Sequence, residues 1–288
     1  IIIWFQRPLD TAQQMTGLFN NPNYTGSWLL LLLPFCLGCL KIKNITLQRK
    51  LFLLIFLGLI IFSIVLTKSR NAFLGTFITL PFLTNQLILT ILLVTTLLII
   101  ALIIFLIILI APNIIVEISN KILPNFLITT LNINELNLDT FSLERSARLK
   151  IWGGATKLIS QEPIFGWGSA TFPVLFGKEE FNEWMNHTHN IILELALSYG
   201  LIITSIFLFT CTLIIIKSFY EIFYKNNLIE NNILDKAWWT AFFTLFLSQM
   251  LDIQYFDFRV GITFWILLSG LICLIAKDEK SKNKNSLC

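Results

Sequence analysis

Apolar runs of membrane-spanning length set the fold class of this chain. A bilayer core of ~30 Å needs about 20 apolar residues per helix, and fewer where flanking side chains reach the interface. Six runs meet or approach this length: 25–40, 51–67, 86–111, 191–216, 238–251 and 260–276. With only 13% charged residues and a mean hydropathy of +0.76, the chain is predicted to be an all-α polytopic membrane protein.

The shorter segment 71–83 leaves the number of spans open. It could be a thin span, a re-entrant segment, or the first part of a broken helix that reaches residue 111, with Pro81 at the break. If it crosses, the chain has about seven transmembrane helices. The chain opens in what resembles the tail of an earlier span, so we expect it to be an N-terminally truncated fragment.

Basic residues predict which ends of the runs face the cytoplasm, because short cytoplasmic loops carry an excess of Lys and Arg. Two loops and the C-terminal tail hold eleven such residues: Lys41, Lys43, Arg49, Lys50, Lys217, Lys225, Lys236, Lys277, Lys280, Lys282 and Lys284. This orientation divides the chain into N-terminal membrane helices (1–111), a large external loop (112–189), C-terminal membrane helices (190–276) and a basic cytoplasmic tail (277–288).

Arginine is distributed against this trend. Only Arg49 of the six arginines lies on the predicted cytoplasmic side. The five external arginines are Arg7, Arg70, Arg145, Arg148 and Arg259. Lys and Arg serve equally well to set the orientation of a membrane protein. Only the planar guanidinium of Arg, however, suits bidentate binding of phosphate or carboxylate. We therefore expect an anionic ligand at the outer surface, and contact with phospholipid headgroups is the alternative.

The external loop contains a patterned segment. The stretch SLERSARLKIWGGATKLISQEP predicts an amphipathic helix with Arg145, Arg148 and Trp152 close together on its surface. Its apolar stripe has five members: Leu143, Ala147, Ile151, Ala155 and Leu158. The helix is predicted to lie on the outer surface of the membrane protein.

The stretch after this helix predicts a turn. Pro163 should stop the helix, since proline removes a backbone donor. In PIFGWGSATF, Gly166 and Gly168 match a nucleotide-binding loop poorly, because no strand precedes them and no P-loop lysine follows. We interpret both glycines as turn formers.

The only two histidines, His187 and His189, stand where the external loop enters the run that begins at residue 191. An interfacial pair that caps the helix with a neighbouring asparagine is one interpretation. A metal site completed by Glu183 or Glu194 is another, although H-x-H alone is a weak ligand signal. A general base is the third, because an imidazole pKa of ~6.5 suits proton abstraction near neutral pH. The nearby outer arginines favour the general-base interpretation over the other two.

Four stretches together carry a family resemblance. RLKIWGGATKLISQEPIFGWGSATF has an Arg–Trp helix followed by P-x-x-G-x-G, and HTHNIILELALSYG has His189, Asn190 and, after nine residues, Gly200. Upstream, MTGLFNNPNYTGSWLLLLLP is similar to a G-x-F-x-x-PN segment and LTKSRNAFLG to an S-R-x-A-x-L segment. Over about residues 16–205 the chain resembles the O-antigen ligase and O-antigen polymerase superfamily of membrane glycosyltransferases.

The resemblance implies transfer of a glycan from a polyprenyl-diphosphate-linked donor to a glycan or lipid-linked acceptor, with no metal and no cofactor. The site would lie on the periplasmic side of the bacterial inner membrane, so the 112–189 loop would be periplasmic. By position, His189 would be the general base, and Arg70 with Arg145 or Arg148 would bind the diphosphate. The supporting residues would be His187, Asn190, Gly200 and Trp152.

The spacing from His189 to Gly200 corresponds to about three helical turns, or ~16 Å, so the glycine should be a close-packing point away from the reacting atoms. The expected partners are the lipid-linked donor, the acceptor and membrane lipids, and nothing in the sequence indicates nucleic acid. Ligases and polymerases share the whole pattern.

Two other functions stay open. Some cyanobacterial members of the superfamily carry the label of inorganic-carbon transporter, and a transporter would also need outer arginines to attract an anion. A carrier should show inverted repeats, paired broken helices and ionisable groups near the bilayer midplane, and the sequence has little of these. A noncatalytic glycan-binding homologue is the second alternative.

Overall fold

The structure, a computed structural model, describes residues 14–83, 95–96, 99, 138–178, 185–225 and 232–285. Regular secondary structure in these residues is all helical, as the apolar runs predict. The helices of the described part are α1 (Pro22–Leu40), α2 (Leu47–Thr67), α3 (Arg70–Phe82), α4 (Leu138–Gln161), α5 (Phe172–Lys178), α6 (Ile191–Phe219), α7 (Ile233–Ser248) and α8 (Phe258–Asn285). A π-helical turn, Tyr220–Lys225, continues α6.

Four helices of the described part are long and apolar enough to cross a membrane. They are Pro22–Leu40, Leu47–Thr67, Ile191–Lys225 and Phe258–Ala276. The predicted all-α membrane architecture is therefore confirmed, while seven spans and the external side of the 112–189 loop stay predictions. The predicted run 86–111 lies outside the described residues except at 95–96 and 99.

Two shorter helices, α3 and α7, pack against α1. α3 has 13 residues and α7 has 16. At about 1.5 Å per residue they measure about 20 and 24 Å, less than the ~30 Å bilayer core. α7 is buried along most of its length and packs against α1, α3 and α8. The predicted span 238–251, most of which lies in α7, therefore stays a prediction.

α4 and α5 form a small apolar core on the first turns of α6. The stripe predicted for α4 is confirmed at Ile151, Ala155 and Leu158, which are all buried. They pack with Phe172 and Phe176 of α5 and with α6. The first two stripe positions, 143 and 147, have side chains outside the described residues. This core attaches the amphipathic helix to the end of α6 that follows the histidines.

α6 is broken at Gly200, where φ is 81° and ψ is 168°. The prediction of regular helical turns from His189 down to this glycine is therefore wrong at Gly200 itself. A Cβ at position 200 would collide with the backbone of Ile164 and Phe165, which lie directly against the break. Glycine is required here both for its positive φ and for this close backbone approach.

The turn that follows α4 docks into this break. Gly166 and Gly168 both have positive φ, as turn-forming glycines do. The N–H groups of Trp167 and Gly168 donate to the carbonyl oxygens of residues 197 and 198, at 2.7 and 3.0 Å. In return, the N–H of Leu201 donates to the carbonyl oxygen of Pro163 at 2.7 Å. Backbone groups freed by the break are thus paired, and the turn fixes the direction of the first turns of α6.

Candidate functional site

The start of α6 holds His189 in place. Asn190 is the N-cap of the helix, and its side-chain oxygen accepts the N–H groups of Ile192 (2.9 Å) and Leu193 (3.2 Å). Its amide nitrogen donates to the carbonyl oxygen of Met250 at 3.1 Å, which ties α6 to the α7–α8 loop. His189 has a φ of 55°, a left-handed conformation that is uncommon outside glycine.

The imidazole of His189 pairs with a buried carboxylate. Its Nδ1 lies 2.8 Å from Oδ1 of Asp252, which belongs to the α7–α8 loop. The His189 side chain is 33% exposed and that of Asp252 only 5%. An ionised carboxylate can only accept, so the proton of this bond belongs to Nδ1. In that tautomer the lone pair of Nε2 is available to a substrate.

A short polar chain orients Asp252. Asn23 Nδ2 donates to Oδ2 of Asp252 at 2.9 Å, and Ser69 Oγ donates to Oδ1 of Asn23 at 2.8 Å. Each carboxylate oxygen therefore accepts one hydrogen bond. Asn23 belongs to the G-x-F-x-x-PN segment and Ser69 to the S-R-x-A-x-L segment, so the structure brings two separate sequence motifs together at Asp252.

His187 contacts His189 through both ring and backbone. The ring centroids lie 4.3 Å apart, and His187 Nδ1 accepts the N–H of His189 at 3.3 Å. Burial, and then the neighbouring His189, lower the pKa of His187 to about 4. His187 is therefore neutral near pH 7 and a poor proton acceptor there, which favours His189 as the base.

Thr188, between the histidines, is buried and connects two further elements to them. Its N–H donates to Oε2 of Glu194 at 2.9 Å, and its carbonyl oxygen accepts Nε1 of Trp152 at 3.1 Å. Glu194, one of the two glutamates considered as a metal ligand, thus binds backbone instead. Glu183, the other, lies outside the described residues. Trp152 attaches the amphipathic helix α4 to the histidine segment.

Three side chains of the site could ligate a metal ion. His187, His189 and Asp252 each offer one ligand atom, and these atoms lie within 4.8 Å of one another. Nitrogen and carboxylate ligands in such a set suit Zn²⁺ better than Mg²⁺. However, the 2.8 Å separation of His189 Nδ1 and Asp252 Oδ1 is that of a hydrogen bond. The observed arrangement is therefore a histidine–aspartate pair.

Arg70 lies at the edge of this polar network. It is the first residue of α3 and is exposed. Its neighbour Ser69 bonds to Asn23, and its other neighbour, Asn71, donates to Ser248 Oγ at 2.8 Å. The backbone at Arg70 is thus fixed on both sides, close to the segment that orients Asp252.

The loop arginines belong to α4. Arg145 and Arg148 precede Trp152 on this helix, and position 148 lies one turn before Trp152 on the same face. Because Trp152 contacts the histidine segment, α4 runs past the site at this point. The side chains of Arg145 and Arg148, and the whole of Arg7, lie outside the described residues.

Arg259, another of the predicted outer arginines, is held by partners within the protein. Its guanidinium donates to both carboxylate oxygens of Asp257, at 3.0 and 2.6 Å, and to the carbonyl oxygen of Leu18 at 3.0 Å. It also lies 4.0 Å from the centroid of the Phe19 ring. The guanidinium lowers the pKa of the Asp257 carboxyl below its usual range. Arg259 therefore ties the segment before α1 to α8.

An apolar groove between α6 and α8 begins beside the histidine segment. It has a volume of about 210 Å³. Its lining includes Ile191, Tyr199, Phe207, Tyr255, Phe264 and Trp265. Since Ile191 follows Asn190 directly and Tyr255 lies three residues after Asp252, one end of the groove adjoins the histidine–aspartate pair.

A sequence model of the O-antigen ligase family matches residues 26–208. This match covers more than half of the chain and includes Arg70, α4, His189 and Gly200. The chain belongs to the O-antigen ligase family. The apolar helices and membership in the O-antigen ligase family indicate a multi-pass membrane protein. The family is associated with glycosyl transfer that uses lipid-linked glycans. No curated protein sequence matches the chain significantly.

The O-antigen ligase match ends before α7, so Asp252 lies beyond it. Sequence reasoning missed Asp252 and gave Asn23 no role of its own. One signal was present: Asp252 and Asp257 are the only acidic residues between positions 237 and 276. A carboxylate in so apolar a region needs a partner or a function, and Arg259 provides a partner only for Asp257.

Proposed function

We propose that this member of the O-antigen ligase family transfers a glycan from a polyprenyl-diphosphate-linked donor to an acceptor hydroxyl, without a metal, at the periplasmic face of the inner membrane. The observation that carries the proposal is the 2.8 Å hydrogen bond between His189 Nδ1 and Asp252 Oδ1. A sugar hydroxyl is a poor nucleophile until a base takes its proton, and a partly exposed histidine oriented by a buried carboxylate is suited to that task.

In the proposed step, the acceptor hydroxyl gives its proton to His189 Nε2 while its oxygen attacks the anomeric carbon of the donor. The bond from that carbon to the diphosphate oxygen breaks, and the polyprenyl diphosphate leaves with the electron pair. Asp252 stabilises the imidazolium that forms, and Asn23 keeps the carboxylate aimed at Nδ1.

The leaving diphosphate gains negative charge in the transition state. Fixed guanidinium groups can stabilise that charge without a metal ion, and Arg binds two oxygens of one phosphate at once. We assign this role to Arg70 together with Arg145 or Arg148. Support comes from the fixed backbone on both sides of Arg70 and from the contact of Trp152 with the histidine segment.

The groove between α6 and α8 supports the proposal that the substrate is lipid-linked. Its lining is mostly apolar, and it includes Ile191 and Tyr255, which lie two and three residues after His189 and Asp252 in the sequence. Burial of apolar chain contributes about 25 cal/mol per Å² removed from water. A lipid chain in the groove would leave its polar head at the end where His189 lies.

Replacing the proposed clamp arginines by lysine tests the donor half of this proposal. Arg70→Lys, and the double variant Arg145→Lys with Arg148→Lys, should each lower donor turnover by about 10- to 100-fold, because lysine keeps the charge but cannot bind two oxygens in a plane. Turnover is measured as release of polyprenyl diphosphate from labelled donor by purified protein.

Arg259→Lys is the matched control, because its guanidinium is already bound by Asp257. Donor turnover of this control should stay near native. Native turnover in both the Arg70→Lys protein and the double variant would remove the support for an arginine clamp.

A further inference from the structure

One cluster in the site could bind a metal ion, although the proposed transfer reaction needs none. It consists of His187, His189 and Asp252. One ligand atom from each lies within 4.8 Å of the others. Both histidines are half-buried and Asp252 is buried, so the three side chains have little freedom to separate. Asp252 is fixed from the far side by Asn23, and the α6 cap holds the backbone of His189.

We infer that this cluster is an inhibitory site for a divalent transition-metal ion such as Zn²⁺. The inhibitory effect rests on the proposed role of His189 as the base, whereas binding of the ion does not. Two imidazole nitrogens and one carboxylate oxygen are ligands that Zn²⁺ accepts, and its fourth position can be filled by water.

The present spacing needs little change to admit the ion. Tetrahedral Zn²⁺ with ligands about 2.0–2.2 Å away keeps those ligands about 3.3 Å from one another. His189 Nδ1 and Asp252 Oδ1 are 2.8 Å apart, so the pair would have to open by about half an ångström. The 3.3 Å bond from the His189 N–H to His187 Nδ1 is long and therefore weak, so the His187 ring can readily adjust.

Inhibition follows from which nitrogen carries the proton. In the hydrogen-bonded pair, Nδ1 carries the proton and the lone pair of Nε2 is free. When the metal binds Nδ1, the neutral ring keeps its single proton on Nε2 instead. The proton has moved from one ring nitrogen to the other, no net proton is gained or lost by the ring, and the nitrogen that should take the acceptor proton no longer has a lone pair.

The ligand set also predicts which ions act. Zn²⁺ and Co²⁺ accept imidazole nitrogen, whereas Mg²⁺ and Ca²⁺ prefer six or more oxygen ligands. We expect Zn²⁺ to slow transfer and Mg²⁺ at the same concentration to leave the rate unchanged.

Binding is tested with Co²⁺, whose visible absorption reports nitrogen and oxygen ligands in a tetrahedral site. Purified native protein should develop this absorption. His187→Ala should weaken Co²⁺ binding at least about tenfold, and so should His187→Gln, which retains an acceptor for the His189 N–H if the alanine variant folds poorly. Cys39→Ala is the control, since it removes a thiol far from the cluster in sequence and should bind Co²⁺ as native protein does.

The inhibition arm uses the same proteins. The His187→Gln protein should need at least about tenfold more Zn²⁺ than native protein for the same fractional loss of transfer. Absence of Co²⁺ binding, or binding that the His187 variants leave unchanged, overturns the site. Co²⁺ binding with Zn²⁺-insensitive transfer overturns inhibition. A protein that binds Co²⁺ as expected but shows no transfer contradicts the proposed function and leaves the metal site standing.

Discussion

His189→Ala should lower glycan transfer by about 10²- to 10⁴-fold, the usual contribution of a general base. The alanine removes Nε2, so the acceptor hydroxyl must give its proton to water while it attacks. Donor binding should remain near native, because the proposed clamp consists of arginines on other elements. The comparison is made on purified proteins, with transfer rate and donor affinity measured separately.

His187→Ala is the matched control for this prediction. The two rings lie 4.3 Å apart, but His187 has a low pKa, and among the described residues it is His189 that is hydrogen-bonded to Asp252, so His187 has a smaller role. Its loss should therefore reduce transfer less than the loss of His189. Near-native turnover of His189→Ala would contradict the base role, and so would a larger loss in the His187→Ala protein.

Asp252→Asn should produce a loss of similar size, about 10²- to 10⁴-fold in turnover. An amide at this position can donate to His189 Nδ1, which would move the ring proton to Nε2 and remove the lone pair needed for proton abstraction. Because the amide is almost the same size as the carboxylate, the fold should be kept. The expected change is in kcat, with little change in KM for the donor.

Asp257→Asn is the control for Asp252→Asn. Both aspartates belong to the α7–α8 loop, but Asp257 pairs with Arg259 and not with a histidine. Its loss should weaken the contact between α8 and the segment before α1 and leave turnover largely intact. Equal losses in the two variants would show that the loop matters only for stability.

The helices were predictable because they depend on local pattern. Apolar runs gave α1, α2, α6 and α8, and the spacing of Ile151, Ala155 and Leu158 gave the buried face of α4. α7 matches the predicted apolar run 238–251, but its burial by α1, α3 and α8 depends on tertiary packing, which hydropathy does not measure.

The site depends on contacts that sequence spacing does not encode. His189 and Asp252 are 63 residues apart, and Asn23 is farther still from Asp252, so no short motif contains the pair. The break at Gly200 is equally hidden, since the N–H groups that satisfy it come from the turn at Trp167 and Gly168. The family pattern named His189 and the arginines, but it ends before the carboxylate that orients the histidine.

Metal-independent transfer by this protein is tested most directly by one measurement on the native chain. Purified protein receives labelled polyprenyl-diphosphate-linked glycan and an acceptor, with and without a chelator. We expect label to appear on the acceptor as polyprenyl diphosphate is released, at least as fast with the chelator as without it. Transfer that the chelator abolishes and an added metal ion restores would contradict the role of His189 and Asp252 as a metal-free base pair.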